Sequence, residues 1–336
     1  MILPDYDGRN AEEWPEMAIY VIKRVLTMIP VILAVTIIIF TLMYFVPGDP
    51  ATISAGGERI TEEQLNAIRE SMGLNKPFLE RLGTYLYNVF FRLDFGISYT
   101  NGSPVGPELL ARFWTTFRIA ISGMVLMIVL GIPIGIRAAV RANTIEDRFS
   151  MFLTLIGNSM PLFWLALLLV LLFSLILGWL PSYGSTTFKH FILPCVCVAL
   201  EGTAGIARQT RSSMLEVIRS DYITTAWSKG LSESRVVYGH ALPNALIPII
   251  TVIGNQFGRL IGGVVVVETV FSIRGLSVFL LNGINTRDYT VVQGCLVVIA
   301  FLFSVVMLIA DLFHTFIDPR IKARYVTIKR SGDKND

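Results

Sequence analysis

"SDYITTAWSKGLSESRVVYGHALPN" runs from Ser220 to Asn244, polar and charged, between two apolar runs. Connections between neighbouring helices usually take only about 2–8 residues. Upstream, Phe191–Ala207 is apolar except for Glu201; downstream, Ala245–Val267 is interrupted only by Arg259. The reading of this stretch therefore depends on what the flanking runs are.

A membrane-spanning helix needs roughly 20 predominantly apolar residues. Val25–Val46 has 22 residues without a charge, and Ile119–Ile136 has 18 more. Phe149–Phe188 has 40 residues with no Asp, Glu, Lys or Arg, enough for one long helix and a re-entry. Tyr289–Ala310 is uninterrupted. With the two runs beside Ser220–Asn244, that makes six candidate spans. Over the whole chain of 336 residues, 53% are hydrophobic and only 16% charged, against about 25% charged in soluble domains. The chain reads as an all-α integral membrane protein. Its apolar runs make the lipid bilayer its partner, and its net charge of +3 suggests no nucleic-acid partner. The first span is longer than the 7–15-residue core of a cleavable signal and reads as an anchor. Cys195, Cys197 and Cys295 lie within apolar runs and read as small packing residues.

Lys and Arg in short connections set orientation. Seventeen lie before the first span, between the second and third, between the fourth and fifth, or after the sixth. The short connections on the opposite side hold only Lys189, Arg274 and Arg287. This places both termini and Ser220–Asn244 in the cytoplasm, in a multi-pass protein. The expected organisation is a cytoplasmic segment 1–24, a first span 25–46, an external segment 47–116, and a five-helix core 117–318. The core contains a cytoplasmic loop 208–243, and a cytoplasmic tail 319–336 follows. In the external segment, Thr61 is placed as an N-cap before acidic residues, and Gly73 as a stop. The aromatic-rich stretch from Lys76 to Phe91 suits a membrane interface.

Within the loop, "SSMLEVIRSDYITTAW" has a helical pattern, with Ser212 or Ser213 as cap and Met214, Val217, Ile218, Tyr222 and Trp227 recurring at steps of three to five. Ala226 is small enough for a partner backbone to approach. Gly230 can end the helix in the left-handed conformation, and Pro243 suits the first turn of the next span. A short apolar-faced helix in the cytoplasm either docks on a partner or folds back on the chain's own helix ends.

The loop resembles the "EAA" loop of permease subunits of bacterial ABC importers, E-A-A-x-x-x-G followed by I-x-L-P. Ala226, Gly230, Leu242 and Pro243 match, while Thr224 and Thr225 stand where Glu-Ala would be and His240 where Ile would be. "RQTRSSMLEVIRSDYITTAWSKGLS" is similar to the version in the dipeptide/oligopeptide (peptide/nickel) branch. So are "YVIKRVLTMIPVILAVTIIIFTLMYFVPGDPA", "GNSMPLFW", "ETVFSIRGL", "RDYTVVQG" and "DPR". The resemblance covers nearly the whole chain beyond about residue 18. It implies six transmembrane helices of the type I ABC importer permease fold, with a long structured external segment after the first. It also implies a bacterial inner-membrane location, a second homologous permease, two cytoplasmic ATPase subunits and an extracytoplasmic substrate-binding protein. The chain has no G-x-x-x-x-G-K-[ST] phosphate cradle, so ATP and Mg would belong to the partner subunits, with no cofactor in this chain. Coupling to the ATPase would involve Asp221, Tyr222, Thr225, Ala226, Lys229, Gly230, Leu231, Pro243 and Asn244. The implied cargo is a di- or oligopeptide, with nickel chelates, metallophores or glutathione as alternatives.

Charges inside spans cost about 2.5–3.5 kcal/mol on insertion scales, so each needs a reason. Glu201, Arg259 and Glu268 are the clearest, and Ser159 and Pro161 add a polar break in the third span. These five are the candidates for lining a translocation pathway. Arg259 and Glu201 either meet the termini of a zwitterionic peptide or pair with each other. Asp311 reads as an interfacial charge. Two other classes compete. An intramembrane enzyme would use Asn158, Ser159, His190 or His240, although the two histidines fall on opposite sides. A self-contained channel or transporter would have no use for a docking helix.

Overall fold

The computed structural model describes residues 10–55 and 61–317. Residues 1–9 and 318–336, including the expected tail, lie outside the described residues, as do the side chains of Asn158 and Asp311. Among the described residues the chain is helical, with no strand beyond one isolated bridge between Ile97 and Pro104. Five helices are long and apolar enough to cross a membrane, and six if one bent pair counts as a single span.

Helix α1 (Asn10–Phe45) carries the first span in Val21–Phe45. It begins well inside the stretch expected to precede the span. Three short helices follow: α2 (Pro50–Ser54), α3 (Glu62–Ser71) and α4 (Phe78–Tyr87). Thr61 and Gln64 form a reciprocal capping box on α3, and Gly73 follows it at φ +67°.

Helix α5 (Val105–Val140) has 36 residues, about 54 Å at 1.5 Å per residue. It starts inside the segment read as external, because Pro104 stops the preceding turn and Val105 and Leu109 are buried against later helices. The third span is broken. Helix α6 (Ile145–Ser159) bends by 100° into α7 (Leu162–Leu169), which widens into a π-helical turn over Val170–Ile176. The cause is Pro161: the residue before a proline is pushed out of the helical region, and Met160 is extended at φ −82°, ψ 132°.

Helix α8 (Lys189–Ile218) runs past the apolar stretch into the residues expected to form the loop. The helix pattern read across Ser212–Trp227 is therefore two helices. Ser213 is buried within α8 and caps nothing; the break falls at Arg219–Ser220, and α9 (Asp221–Ser228) follows. A π-helical turn over Arg235–Ala241 leads into α10 (Leu242–Val270). Helix α11 (Leu276–Asn285) and α12 (Tyr289–Ile317) complete the chain.

The main core joins α5, α7, α8, α10 and α12. Its closest contact is between α5 and α8, where glycines admit the facing helix. A Cβ on Gly135 would lie 2.5 Å from the Ala207 carbonyl oxygen and from Thr210 Cβ; one on Gly131 would lie 2.8 Å from Ile206 Cγ2. Small residues at such contacts let backbones approach where lipid supplies no hydrophobic drive between helices. Elsewhere α1, α5 and α6 present large apolar side chains outward, among them Leu42, Val129 and Phe149, as a lipid-facing surface requires.

Gly135→Val should overpack this contact and cost about 1–3 kcal/mol, read as a lower Tm in detergent. Gly262→Ala, where no atom lies within 4 Å of the added methyl, should leave Tm unchanged.

Candidate functional site

Helix α9 is held by one face. Ile223 is fully buried and Ala226 nearly so, within a cluster that includes Ile136 and Ala139 of α5, Met214 of α8, Val236, Val237 and Ala241 of the following turn, and Ala245 and Ile249 of α10. Ala226 thus packs on its own chain. The opposite face is open: Asp221, Tyr222, Thr224, Thr225 and Trp227 are exposed, and Tyr238 extends the patch. One face of α9 thus folds back on the chain's own helices, and the other is exposed.

The loop's ends are fixed locally. Ser220 Oγ donates to the Val217 carbonyl at 2.6 Å, closing α8, and Thr225 Oγ1 donates to the Asp221 carbonyl at 3.0 Å. Lys229 closes α9 and is exposed; Gly230 turns at φ +75°, which a residue with a Cβ adopts only at a cost. Leu231 packs against the same cluster. Pro243 sits in the first turn of α10, and Asn244 Nδ2 donates to the His240 carbonyl at 2.9 Å.

Beside this cluster is a pair absent from the sequence reading. Asp147, 2% exposed, accepts Arg211 Nε at 2.6 Å and Nη2 at 2.7 Å, and the Asn143 amide at 2.9 Å. The start of α6 is thereby clamped to α8, nearly three turns before α9. Only the fold brings these residues together, 64 positions apart.

The in-span charges separate into two kinds. Glu268 is fully buried, and its Oε1 accepts Thr116 Oγ1 at 2.5 Å. Its Oε2 accepts the amides of Ser277 and Val278, both at 3.0 Å, capping α11. A Cβ on Gly275 would collide with this carboxylate. Glu268 is thus held as a cap by donors of its own chain. At the same end Asp288, 1% exposed, accepts Ser98 Oγ at 2.5 Å and Thr100 Oγ1 at 3.1 Å, tying the Ser98–Pro104 turn to the start of α12. Ser159 is satisfied within its helix, donating to the Leu155 carbonyl at 2.8 Å, and Pro161 makes the bend.

Glu201 and Arg259 remain. They line one cavity with Gln256, Gly202 and Gly263, yet they form no ion pair with each other among the described residues. The fixed pair weighed from the sequence is therefore not made. Arg259 is exposed, and so are Thr251, Asn255 and Gly262, a polar stripe on one face of α10 at helical spacing. The histidines stand at opposite ends of α8. His190 meets Thr187 at the start of α8, and His240 lies in the turn after α9. No nucleophile–base pair forms from them. Among the described residues no cluster of His, Cys, Asp or Glu could hold a metal ion.

Residues 131–323 match the family described as "Binding-protein-dependent transport system inner membrane component", and residues 17–120 match its N-terminal companion. The chain belongs to this family: it is a permease subunit of an ABC importer, a multi-pass inner-membrane protein and not itself an enzyme. This overturns the self-contained transporter and the intramembrane enzyme. Such a subunit works with ATPase and binding-protein partners. The chain is 38% identical to the dipeptide transport system permease protein DppB of Alkalihalophilus pseudofirmus, over 91% of this chain and 100% of that one. It is 39% identical to the glutathione transport system permease protein GsiC of Escherichia coli K12, over 90% of this chain and 98% of that one. Among solved structures, the membrane subunit fold of the inward-facing methionine ABC transporter MetNI matches with TM-score 0.53 at 20% identity, over 62% of this chain and 96% of that one.

Glu268→Ala should strip the α11 cap and cost about 2–3 kcal/mol or more, the range for a hydrogen-bonded charged group. Thermal unfolding in nanodiscs checks this. A normal Tm with lost transport would instead place Glu268 in the pathway.

Proposed function

We propose that this chain is one of two permeases of an ATP-driven peptide importer and forms half of its translocation pathway. The observation that carries the reading is the polar stripe on α10. An exposed arginine within a span cannot face hydrocarbon cheaply, so it faces a water-filled cavity or a second subunit. Glu201 and Arg259 line one narrow cleft of about 20 Å³ and make no ion pair with each other, so they would meet the amino and carboxyl termini of a zwitterionic peptide only in the wider space that the second permease completes. The two termini would neutralise both charges at once, so binding and release would exchange one set of ion pairs for water. The name of the DppB relative supports a dipeptide cargo, and that of GsiC favours glutathione, itself a zwitterionic peptide, as the second reading.

In this reading the α9 end and both termini are cytoplasmic, following the Lys and Arg asymmetry. The open face of α9, with Tyr222 and Trp227, seats on one of two ATPase subunits, which hold ATP and Mg and hydrolyse ATP. Ile223 and Ala226 pass its displacement to α5, α8 and α10. A substrate-binding protein delivers cargo at the opposite end, and the second permease completes the cavity wall. Asp221, Thr225, Lys229 and the turn at Gly230 shape the docking edge. Closure of the ATPase pair would then tilt α8 and α10 together and switch which side of the membrane the cavity meets.

The test is uptake by cells lacking this gene and complemented with it, with labelled tripeptide, glutathione and nickel compared, and ATP depleted in parallel. Restored ATP-dependent tripeptide uptake supports the reading; restored nickel uptake alone overturns the cargo. In the purified complex, Tyr222→Ala with Trp227→Ala should weaken ATPase association about tenfold or more, as for lost interface anchors, with Tm unchanged. Arg259→Ala should raise the transport KM for peptides bearing a free carboxyl terminus and spare those amidated there.

A further inference from the structure

A second cavity, of about 380 Å³, lies at the end of the molecule opposite α9, where the apolar spans of α1 and α12 both stop. Met43, Tyr44 and Val46 form its apolar side; Asp49, Arg69, Asn75, Arg81 and Tyr289 bring polar groups to it. Three features of its chemistry point to a bound anion.

The Asp49 carboxylate is already used. It accepts the Ala51 amide at 3.0 Å and Arg69 Nε and Nη2 at 2.8 and 2.6 Å. Arg81 is half-buried, stacks over Tyr44 at 5.4 Å and pairs with no carboxylate among the described residues. The cavity thus holds one uncompensated positive charge. Tyr289 is only 7% exposed, yet its hydroxyl has no hydrogen-bond partner among the described residues. A buried polar group costs free energy until something pairs with it, and this hydroxyl belongs to a side chain lining the cavity.

Position selects the kind of anion. The cavity sits level with the ends of two spans, which is headgroup depth. It opens beside α1, whose apolar window is 17% buried where that of α8 is 56% buried. Leu42 and Phe45, the last outward residues of α1, are 61% and 75% exposed. An anion with an attached acyl chain satisfies both halves of the site: charge and hydroxyl within, hydrocarbon along α1. We propose that this cavity binds the phosphate of a membrane phospholipid in the leaflet opposite α9, held by Arg81 with Tyr289 donating its hydroxyl proton. The proposal needs only that the chain spans the membrane, and it stands whichever cargo is carried.

The experiment uses the complete importer, purified in detergent and titrated with dioleoylphosphatidylglycerol, with bound lipid counted by native mass spectrometry. Arg81→Gln should weaken retention of one lipid about tenfold, the size of one charge-assisted hydrogen bond. Arg81→Lys should recover part of it. Tyr289→Phe should weaken retention with lipid-free Tm unchanged, since its hydroxyl bonds to no group among the described residues. That variant keeps the proposal open to refutation if Arg81→Gln fails to assemble. Inorganic phosphate alone should not displace the lipid. Equal lipid retention by wild type, Arg81→Gln and Tyr289→Phe overturns the proposal. So does displacement by inorganic phosphate or by a tripeptide, which would make the site one for free anions or for cargo.

Discussion

The contact between α5 and α8 is the constraint on which the rest of the structure depends. In a bilayer, lipid tails solvate an apolar helix as well as another helix does, so association rests on close fit. Gly131 and Gly135 bring the backbone of α5 against Thr203, Ile206, Ala207 and Thr210. With α8 pinned along this length, its end at Ile218 has a fixed position, and so does α9 one turn beyond. The Asp147–Arg211 pair adds α6 to the same frame from the other side of α8. A push on α9 therefore moves packed helices, which respond as bodies because close-packed interiors compress little.

Charge within the span region follows one rule: a buried charge is either spent on the protein's own donors or left for something else. Glu268 and Asp288 are spent. Each accepts several donors and closes a helix start, so each contributes to the fold at the α11 end. The half-buried Glu201 and the exposed Arg259 form no ion pair among the described residues. The distinction could not be drawn from the sequence, where Glu268 and Glu201 look alike as lone acids among apolar residues. It depends on where Thr116 falls, 152 residues before Glu268.

Local signals were legible and long-range ones were not. The six apolar runs, the capping box at Thr61 and the left-handed turns at Gly73 and Gly230 rest on residues within a few positions of each other. The bend at Met160–Pro161 has an equally local cause, although apolar length alone suggested one long helix with a re-entry. The break at Ser220 was hidden for a different reason. Met214, Val217, Tyr222 and Trp227 keep helical spacing across it, yet Met214 and Ile223 face inward while Tyr222 and Trp227 face out. Periodicity finds an amphipathic face but does not say whether the partner is the same chain or another. The clamp of Asp147 on Arg211 and the caps of Glu268 and Asp288 needed the fold itself.

The two-faced character of α9 has a mechanical consequence. A helix of eight residues is too short to hold its shape in water, so α9 exists because Ile223 and Ala226 anchor it to three longer helices. A partner that seats Tyr222 and Trp227 therefore meets a preorganised surface and pays little ordering entropy on binding. The same anchoring makes transmission efficient. Any displacement large enough to separate Ile223 from its cluster would expose buried apolar surface, whereas tilting the cluster as a unit would not. Movement of α9 is thus passed on to α5, α8 and α10 together. Of these, α8 and α10 carry Glu201 and Arg259, the two charges proposed to meet the cargo.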